Sequence, residues 1–299
     1  MAHAEQLSPK SIYRKFNVTA SSTAPVHAPS STPSNIVLTK TQQSAVDMVV
    51  EMLGHENKSF PVIAILSGYA GTGKTTTIRQ IAKTVRDLGS KVIVLAPTGK
   101  ASLRVQEATG LEASTIHRWC YKPVENPKTG ETTFVLRTPE LFSSSEHPPL
   151  VIIDEVSMVG RELMRDVYKV CKNLKCHLLC VGDRFQLPPV EKLNEVPFSV
   201  FTDKNFPVYK QVHLTEVMRQ ALDNPIIRAS MLIRDGDVSG AFAMLPAVAP
   251  EKAVGHMNDV LSHGGVAICY TNRLRHVLNG EMRMIRGYRE EISVQSCPN

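Results

Sequence analysis

The chain has 299 residues, of which 42% are hydrophobic and 21% charged, enough apolar content for one large domain plus a fragment, or for two small domains. No run of residues approaches the roughly 18 to 20 apolar residues of a membrane span, so no membrane partner is expected. The net charge of +6 permits a polyanionic partner, although a surplus of this size is also common in proteins that bind no nucleic acid.

The first 37 residues are rich in Ser, Pro and Thr and have too little apolar content to fold, which predicts a disordered tail. Their low acid content and the early basic residues Lys10, Arg14 and Lys15 weakly resemble an organellar transit peptide. No amphipathic helix with an Arg-rich face is evident in the segment. The plain disordered tail is therefore the preferred interpretation.

A phosphate-binding loop follows the first predicted strand. Residues 38–54 have helical spacing with Thr39 as a candidate N-cap, and the apolar run 62–66 predicts a strand. Residues 68–75 (GYAGTGKT) come next, and a helical pattern covers residues 76–88. This strand–loop–helix context is what the pattern G-x-x-x-x-G-K-[ST] requires, and it argues against the alternative of a Gly-rich turn without a ligand.

The loop predicts a site for a nucleoside triphosphate, with ATP and Mg²⁺ as the expected ligands. Its glycines let the backbone fold tightly around an anion, so that consecutive N–H groups point at the β-phosphate. Lys74 is expected to reach the β- and γ-phosphates, and the Thr75 hydroxyl is expected to ligate Mg²⁺. The residues expected to bind the nucleotide are Gly68, Gly71, Thr72, Gly73, Lys74, Thr75 and Thr76.

Three further apolar runs, at residues 91–95, 150–154 and 177–181, each end at a polar loop, and helical patterns cover residues 100–108 and 161–172. Strands that alternate with helices predict an α/β fold, with a parallel sheet covered by helices on both faces. Ligands bind at the carboxyl ends of the strands in such sheets. Because each polar motif follows a strand, we expect the motifs to share one edge of the sheet.

Two of these motifs carry candidate catalytic residues. Asp154 and Glu155 end a strand, where Asp154 can hold Mg²⁺ and Glu155 is suited to orient and deprotonate the attacking water. Gln186 follows the next strand and can hydrogen-bond the γ-phosphate, while Asp183 can orient the loop or the water. The alternative for this second segment is a proline-terminated surface turn, and its position after a strand argues against that.

One cluster of cysteines can suggest a zinc site. It consists of Cys171, Cys176 and Cys180, with His177 among them. Residues 176–182 have the pattern of a buried strand, in which alternate side chains face opposite ways. Thiols in the core of a protein from a reducing compartment are therefore the preferred interpretation.

The ordered motifs resemble the superfamily 1 DNA helicases of the RecD/Dda-like, 5′-to-3′ branch over about residues 38–287. Besides the phosphate-binding loop, the matching segments are 38–42 (LTKTQ), 96–101 (APTGKA), 113–117 (ASTIH), 154–158 (DEVSM), 182–186 (GDRFQ) and 214–219 (LTEVMR). The resemblance implies a RecA-like P-loop fold in which Gln42 reads adenine and Arg219 is an arginine finger. A surface salt bridge between Arg219 and Glu216, three residues back, is the alternative.

The resemblance also implies single-stranded DNA as a partner. Contacts to DNA phosphates give grip without reading sequence, as a translocating motor needs. The residues expected to make these contacts are Pro97, Thr98, Lys100, Ser114, Thr115 and His117. Capping or packing is an equal alternative for His117, and the core is the preferred place for Trp119, with base stacking as its alternative.

The resemblance divides the chain into a RecA-like ATPase domain at residues 38–235, with an inserted hairpin subdomain at 121–149, and a linker plus the start of a second RecA-like domain at 236–299. The insertion is either a strand-separating pin or a plain surface hairpin. Residues 265–270 are expected to form a strand and residues 271–279 to begin a helix. An incomplete second domain would mean a truncated reading frame, an enzyme completed by another polypeptide, or a reduced one-domain protein.

The expected function is that of an ATP-dependent 5′-to-3′ DNA helicase in the cytoplasm of a bacterium or of a phage-infected cell. The alternative is an ATP- and single-stranded DNA-binding module that needs a partner polypeptide to supply the second motor domain. A small-molecule P-loop kinase explains neither residues 182–186 nor residues 214–219.

Overall fold

The computed structural model describes residues 37–54, 60–137, 139, 147–189, 198–218 and 223–288. These residues fall into two compact units, the first of which runs to Ile227 and the second of which begins at Arg228. No helix in the described part is long and apolar enough to cross a membrane.

The first unit alternates strands with helices. Its elements in chain order are α1 (Lys40–Leu53), β1 (Ile63–Gly68), α2 (Lys74–Asp87), β2 (Val92–Ala96), α3 (Gly99–Thr109), β3 (Ala113–Thr115), α4 (Ile116–Cys120), β4 (Tyr121–Glu125), β5 (Thr132–Leu136), β6 (Leu150–Ile153), a 3₁₀ turn (Val156–Met158), α5 (Arg161–Asn173), β7 (His177–Gly182) and β8 (Val208–Leu214). Thr39 caps α1 through a reciprocal capping box with Gln42, as the helical pattern predicts.

Six of these strands form one parallel sheet in the order β3-β2-β6-β7-β1-β8. Every residue of β1, β6 and β7 is buried, which matches the unbroken apolar runs of strands covered on both faces. The prediction of an α/β fold with a parallel sheet is therefore confirmed. Since all six strands run in one direction, their carboxyl ends meet at a single edge of the sheet.

Helices cover both faces of this sheet and form two cores. Helices α1, α2 and α3 pack on one face, where Leu66 and Ile78 are fully buried. Helices α4 and α5 pack on the other face, where Ile65 and Val167 are fully buried. Trp119 of α4 belongs to this second core with 7% of its surface exposed, which confirms the core interpretation over base stacking.

The cysteines of the first unit lie in the second core. Cys120, Cys171, Cys176 and Cys180 are all buried among apolar side chains. Burial raises the pKa of the Cys180 thiol to about 12, so the thiol stays protonated and behaves as a small apolar group.

Residues 121–136 contain an antiparallel hairpin formed by β4 and β5, outside the main sheet. Phe134 on β5 is 72% exposed. Within the insertion, residues 138 and 140–146 lie outside the described residues, so the choice between a pin and a plain hairpin stays a prediction.

The second unit is helical in its described part. It contains most of α6 (Pro225–Arg234), then α7 (Val238–Met244), a 3₁₀ turn (Pro250–Lys252), α8 (Ala253–Ser262) and α9 (Asn272–Ile285). Met257 of α8 packs against Leu278 and Met282 of α9 in a small core. Helix α9 begins where the sequence predicts a helix, and Thr271 caps it by accepting a hydrogen bond from the N–H of Leu274.

The strand predicted at residues 265–270 is wrong. These residues belong to no strand, and Val266, Ile268 and Tyr270 are 72%, 94% and 84% exposed. A strand exists only where a neighbouring backbone accepts and donates its hydrogen bonds, and the described part of this unit has no sheet to join. The apolar pattern alone therefore overstated the local structure.

Candidate functional site

The site lies at the edge where the parallel strands end. Strand β1 leads into the loop before Lys74, β6 leads into Asp154 and Glu155, and β7 leads into the segment that contains Gln186. The strand order makes β6, β7 and β1 direct neighbours, so their following loops converge. They line a cleft of about 680 Å³.

The loop between β1 and α2 has the tight backbone that an anion site needs. Gly71 and Gly73 both adopt a φ of 79°, in the left-handed region that favours glycine. A Cβ on Gly73 would stand 2.5 Å from Nε2 of Gln42, and one on Gly68 would stand 2.6 Å from Oγ1 of Thr72. Gly68 and Gly73 thus allow close packing that any larger side chain would break.

Helix α2 begins at Lys74, so Thr75 and Thr76 occupy its first turn, where backbone N–H groups have no partner inside the helix. The Lys74 ammonium group donates to the carbonyls of Gly68 at 2.9 Å and Tyr69 at 3.0 Å. These bonds hold the ammonium group against the loop that precedes the N-terminus of α2, the kind of helix end that can bind a phosphate.

Gln42 joins α1 to the loop. Its Nε2 donates to the Thr72 carbonyl at 3.1 Å, while its Oε1 accepts from the Thr39 N–H at 3.1 Å. The side chain is 2% exposed. To read adenine, Gln42 must exchange one of these bonds for the base, so that role stays a prediction.

Asp154 and Glu155 follow β6, and the backbone at Glu155 has an unusual conformation. Asp154 Oδ1 accepts from the Glu155 N–H at 3.0 Å, and Glu155 has a φ of 54°, in the left-handed region. For a residue with a side chain this conformation costs roughly 1–2 kcal/mol. Oε2 of Glu155 is buried and accepts no hydrogen bond from any residue that the structure describes. Glu155 lines the cleft, and one of its two carboxylate oxygens is buried without a partner among the described residues.

The pKa of Asp154 is raised to about 6. Burial is the main cause, and the neighbouring charge of Glu155 adds to it. The Glu155 N–H, Lys74 and Arg104 act in the opposite direction. The Asp154 carboxyl group therefore lies where negative charge is disfavoured until a cation or more positive charge is added.

The raised pKa predicts a pH-dependent stability for the protein without nucleotide or metal. Folded Asp154 holds its proton to a higher pH than the unfolded chain does, so the free energy of unfolding decreases as the pH rises from about 4 through about 6. Asp154→Asn removes this loss, and at pH 7.5 we expect it to raise the free energy of unfolding by about 2–3 kcal/mol. Urea denaturation measures the change.

The same variant at pH 4.5 supplies the control, because Asp154 is then protonated in the folded protein and should resemble asparagine. A stabilisation of equal size at both pH values would show that the effect does not come from the carboxylate charge.

Gln186 and Arg219 complete the predicted catalytic set. Oε1 of Gln186 accepts from the Ser157 hydroxyl at 3.3 Å, and Gln186 lines the cleft. Arg219 lies outside the described residues. Its neighbour Met218 donates its N–H to the Gly71 carbonyl at 3.0 Å. Glu216, the alternative partner of Arg219, accepts a hydrogen bond from Thr41 at 3.2 Å.

Comparison with known proteins identifies the family. Residues 38–249 match the family model described as an AAA domain. The chain belongs to the AAA domain family.

Relatives of this AAA domain chain include named helicases. The ATP-dependent RecD2 DNA helicase of Deinococcus radiodurans is 33% identical over 204 residues, covering 67% of this chain and 24% of that protein. The ATP-dependent DNA helicase dda of Enterobacteria phage T4 is 34% identical over 207 residues, covering 67% and 43%. The ATP-dependent DNA helicase PIF1 of Candida albicans is 30% identical over 193 residues, covering 58% and 21%.

These relatives confirm the RecD/Dda-like resemblance that the sequence motifs predict. The chain spans about a quarter of the length of the Deinococcus relative and less than half that of the phage relative.

The predicted DNA-binding residues of the AAA domain fall into two adjacent groups. Pro97, Thr98 and Lys100 follow β2, and β2 pairs with β3 so that Ala96 lies beside Thr115. Thr98 caps α3, and its neighbour Lys100 is exposed. Of the two groups, only Thr98 and Lys100 line the cleft.

The second group has more local partners. The Ser114 hydroxyl donates to the Thr115 carbonyl at 3.5 Å, and Thr115 caps α4 by accepting from the Arg118 N–H. His117 is exposed and stacks on Tyr121 with ring centroids 5.7 Å apart. The packing alternative for His117 thus has a specific partner, and DNA contact by this group stays a prediction.

Two features of the AAA domain site were missed from the sequence. Arg104 lines the cleft one helical turn after Lys100, a spacing that places both side chains on one face of α3. The Tyr69 ring in the phosphate loop lies 6.3 Å from the Phe185 ring and 5.0 Å from the His213 ring. The i, i+4 spacing could have revealed Arg104, whereas the aromatic contacts join two loops and strand β8, which are distant in sequence.

Proposed function

We propose that the chain is the ATP-hydrolysing part of a 5′-to-3′ DNA helicase that grips single-stranded DNA through backbone phosphates. The observation that carries this proposal is the cleft, which is lined by Lys74, Thr75, Asp154, Glu155 and Gln186. The same cleft has Thr98 and Lys100 on its wall. Hydrolysis and DNA contact would therefore act on adjacent sides of one space.

The donor set fits Mg²⁺ with the phosphates of ATP. The Thr75 hydroxyl and the Asp154 carboxylate are oxygen ligands of the kind that Mg²⁺ prefers, and both line the cleft. When bound, Mg²⁺ neutralises charge on the β- and γ-phosphates. The N–H groups at the start of α2 would receive the β-phosphate, and Lys74 would exchange its two carbonyl partners for phosphate oxygens.

The remaining residues would act on the γ-phosphate. Glu155, which lines the cleft, would accept the proton of the attacking water on its carboxylate. Ser157 holds Oε1 of Gln186, which leaves the Nε2 group of Gln186 to donate to the nucleotide. Arg219 would neutralise charge that develops during the transfer. Gln42 would contact adenine after giving up one of its two backbone bonds.

DNA contact would follow from α3. Thr98 and Lys100 stand at the N-terminus of this helix, where N–H groups, a hydroxyl and an ammonium group can hold a phosphate. Residues 38–235 would form the motor domain and residues 236–299 the start of a second one.

The alternative is a module that binds ATP and single-stranded DNA without unwinding. The exposed apolar residues Val266, Ile268 and Tyr270 favour it, because no described strand covers them. The two functions share the nucleotide site and differ only in whether this chain alone separates a duplex.

Lys74→Ala tests the nucleotide site. We expect DNA-stimulated ATP hydrolysis to fall by about 10²–10³-fold, because the cation that stabilises the phosphate charge is lost. Steady-state hydrolysis with and without oligo(dT) measures this, and Lys83→Ala, an exposed lysine on the same helix, is the matched control. Unwinding of 5′-tailed against 3′-tailed duplexes then separates the helicase from the module. Unimpaired hydrolysis by Lys74→Ala would refute the proposed site.

A further inference from the structure

The ring of Tyr69 joins the phosphate loop to two other segments of the first unit. Its centroid lies 6.3 Å from that of the Phe185 ring and 5.0 Å from that of the His213 ring. The side chain is half-buried and lines the cleft. Phe185 directly precedes Gln186, and the chain continues from His213 towards Arg219. One ring therefore contacts two segments that carry residues proposed to act on the γ-phosphate.

The segment that contains Phe185 is tied into a tight turn. Oδ1 of Asp183 accepts from the Phe185 N–H at 3.0 Å, and the Asp183 carbonyl accepts from the Gln186 N–H at 3.1 Å. Asp183 itself is 1% exposed, so the turn starts from a buried residue. Because two bonds to the backbone fix this turn, a displacement of the Phe185 ring would also move Gln186.

His213 is fixed near the end of β8. It lies opposite Ser67 in the register of β1 and β8, and the Ser67 hydroxyl is 2.9 Å from Nδ1 of His213. Further along the same segment, the Met218 N–H donates to the Gly71 carbonyl at 3.0 Å. The phosphate loop therefore contacts this segment twice, through the ring of Tyr69 and through the carbonyl of Gly71.

The backbone of Tyr69 also contacts the lysine of the nucleotide site. Its carbonyl accepts a hydrogen bond from the Lys74 ammonium group at 3.0 Å. Under the proposed function, Lys74 exchanges this bond for phosphate oxygens when the nucleotide binds. Tyr69 is therefore a residue through which nucleotide binding can reach the rings of Phe185 and His213.

We propose that Tyr69 is a positioning residue, whose ring sets the places of Gln186 and Arg219 relative to the phosphate loop. This inference rests on the proposed function. A reacting group that is displaced by about 1 Å can lose on the order of 10²-fold in rate. Since the ring takes no part in the reaction itself, its loss should lower kcat and leave nucleotide affinity unchanged.

The test compares Tyr69→Leu and Tyr69→Phe with the wild-type full chain. Leucine keeps an apolar side chain but removes the ring, so kcat for DNA-stimulated ATP hydrolysis should fall by about 10- to 100-fold. KM, and the Kd of a fluorescent ATP analogue, should stay within about twofold of the wild type, as for an interaction that acts only in the transition state. Tyr69→Phe keeps the ring and should therefore keep most of the wild-type kcat.

Phe185→Leu supplies a second variant, because Phe185 is 49% exposed and lies outside the phosphate loop. It should also lower kcat. In Tyr69→Leu/Phe185→Leu the two losses should not multiply, because both substitutions remove the same ring contact. Tyr209→Leu is the matched control, since Tyr209 also lies on the first unit, is 38% exposed and hydrogen-bonds Glu51. This control should keep the wild-type kcat.

A Tyr69→Leu variant with the wild-type kcat would overturn the inference, and so would a double variant whose losses multiply. A parallel loss of nucleotide affinity and kcat would assign Tyr69 to binding and would overturn it too. If Tyr69→Leu does not fold, wild-type kcat in Phe185→Leu would overturn it alone.

In each of these cases, DNA-stimulated hydrolysis that depends on Lys74 would leave the proposed function standing. If the wild-type chain hydrolyses no ATP with or without DNA, the proposed function fails and the inference fails with it.

Discussion

Glu155→Gln is expected to reduce DNA-stimulated ATP hydrolysis by about 10²–10⁴-fold, the usual contribution of a general base. The substitution keeps the size and shape of the side chain but removes its ability to accept a proton. The buried Oε2 of Glu155 has no hydrogen-bond partner among the described residues, so no internal bond is lost. Nucleotide affinity should therefore stay close to that of the wild type, and single-turnover kinetics with equilibrium binding separate the two quantities.

Glu131→Gln makes the same chemical change on an exposed residue of the hairpin and should leave hydrolysis unchanged. Turnover by Glu155→Gln within about threefold of the wild type would place the base elsewhere. A parallel loss of nucleotide affinity would instead assign Glu155 to binding.

Arg219→Ala is expected to lower turnover by about 10³–10⁵-fold, the range of arginine fingers in other nucleotide hydrolases, while nucleotide affinity is kept. The side chain lies outside the described residues, but the backbone next to it is anchored. Met218 donates to the carbonyl of Gly71 in the phosphate loop, and Glu216 is held by Thr41. These bonds bring the chain to the nucleotide loop immediately before the arginine.

Arg228→Ala removes an exposed arginine a short distance further along the chain and should keep full turnover. Equal losses of affinity and turnover in Arg219→Ala would contradict a role confined to the transition state. Unchanged turnover would favour the surface salt bridge that the spacing from Glu216 also allows.

The centre of the fold could be predicted because its strands are buried on both faces. Strands β1, β6 and β7 are unbroken apolar runs in the sequence. They can therefore be found without knowing which strands lie beside them in the sheet. The edge strands β3 and β8 are not unbroken apolar runs and could not be predicted in this way. The first has only three residues, and the second includes Lys210, Gln211 and His213 among its seven.

The contrast between β8 and residues 265–270 shows that a local sequence pattern does not tell whether a neighbouring strand is present. Strand β8 mixes polar with apolar residues, yet it forms because β1 offers a full backbone edge beside it. Residues 265–270 are apolar, yet they form no strand because the described second unit offers no such edge. Strand formation at a sheet margin is decided by the neighbour rather than by the residue types.

Much of the candidate site could be located because its motifs are short and each follows a strand. The contacts between motifs could not be predicted from the sequence. The bond from Gln42 to Thr72 joins residues 30 positions apart in the sequence, and the bond from Ser157 to Gln186 joins residues 29 positions apart. Such partners depend on the order of strands in the sheet, which the local pattern does not specify.

Because the chain's single tryptophan is buried, its fluorescence reports the unfolding of the unit that contains it. Trp119 lies in an apolar core of the first unit, so its emission should shift to longer wavelength when that unit unfolds and its ring meets water. The second unit contributes helix to the circular dichroism signal but no indole. Melting curves followed by both signals would therefore show whether the two units lose their structure in one transition or in two.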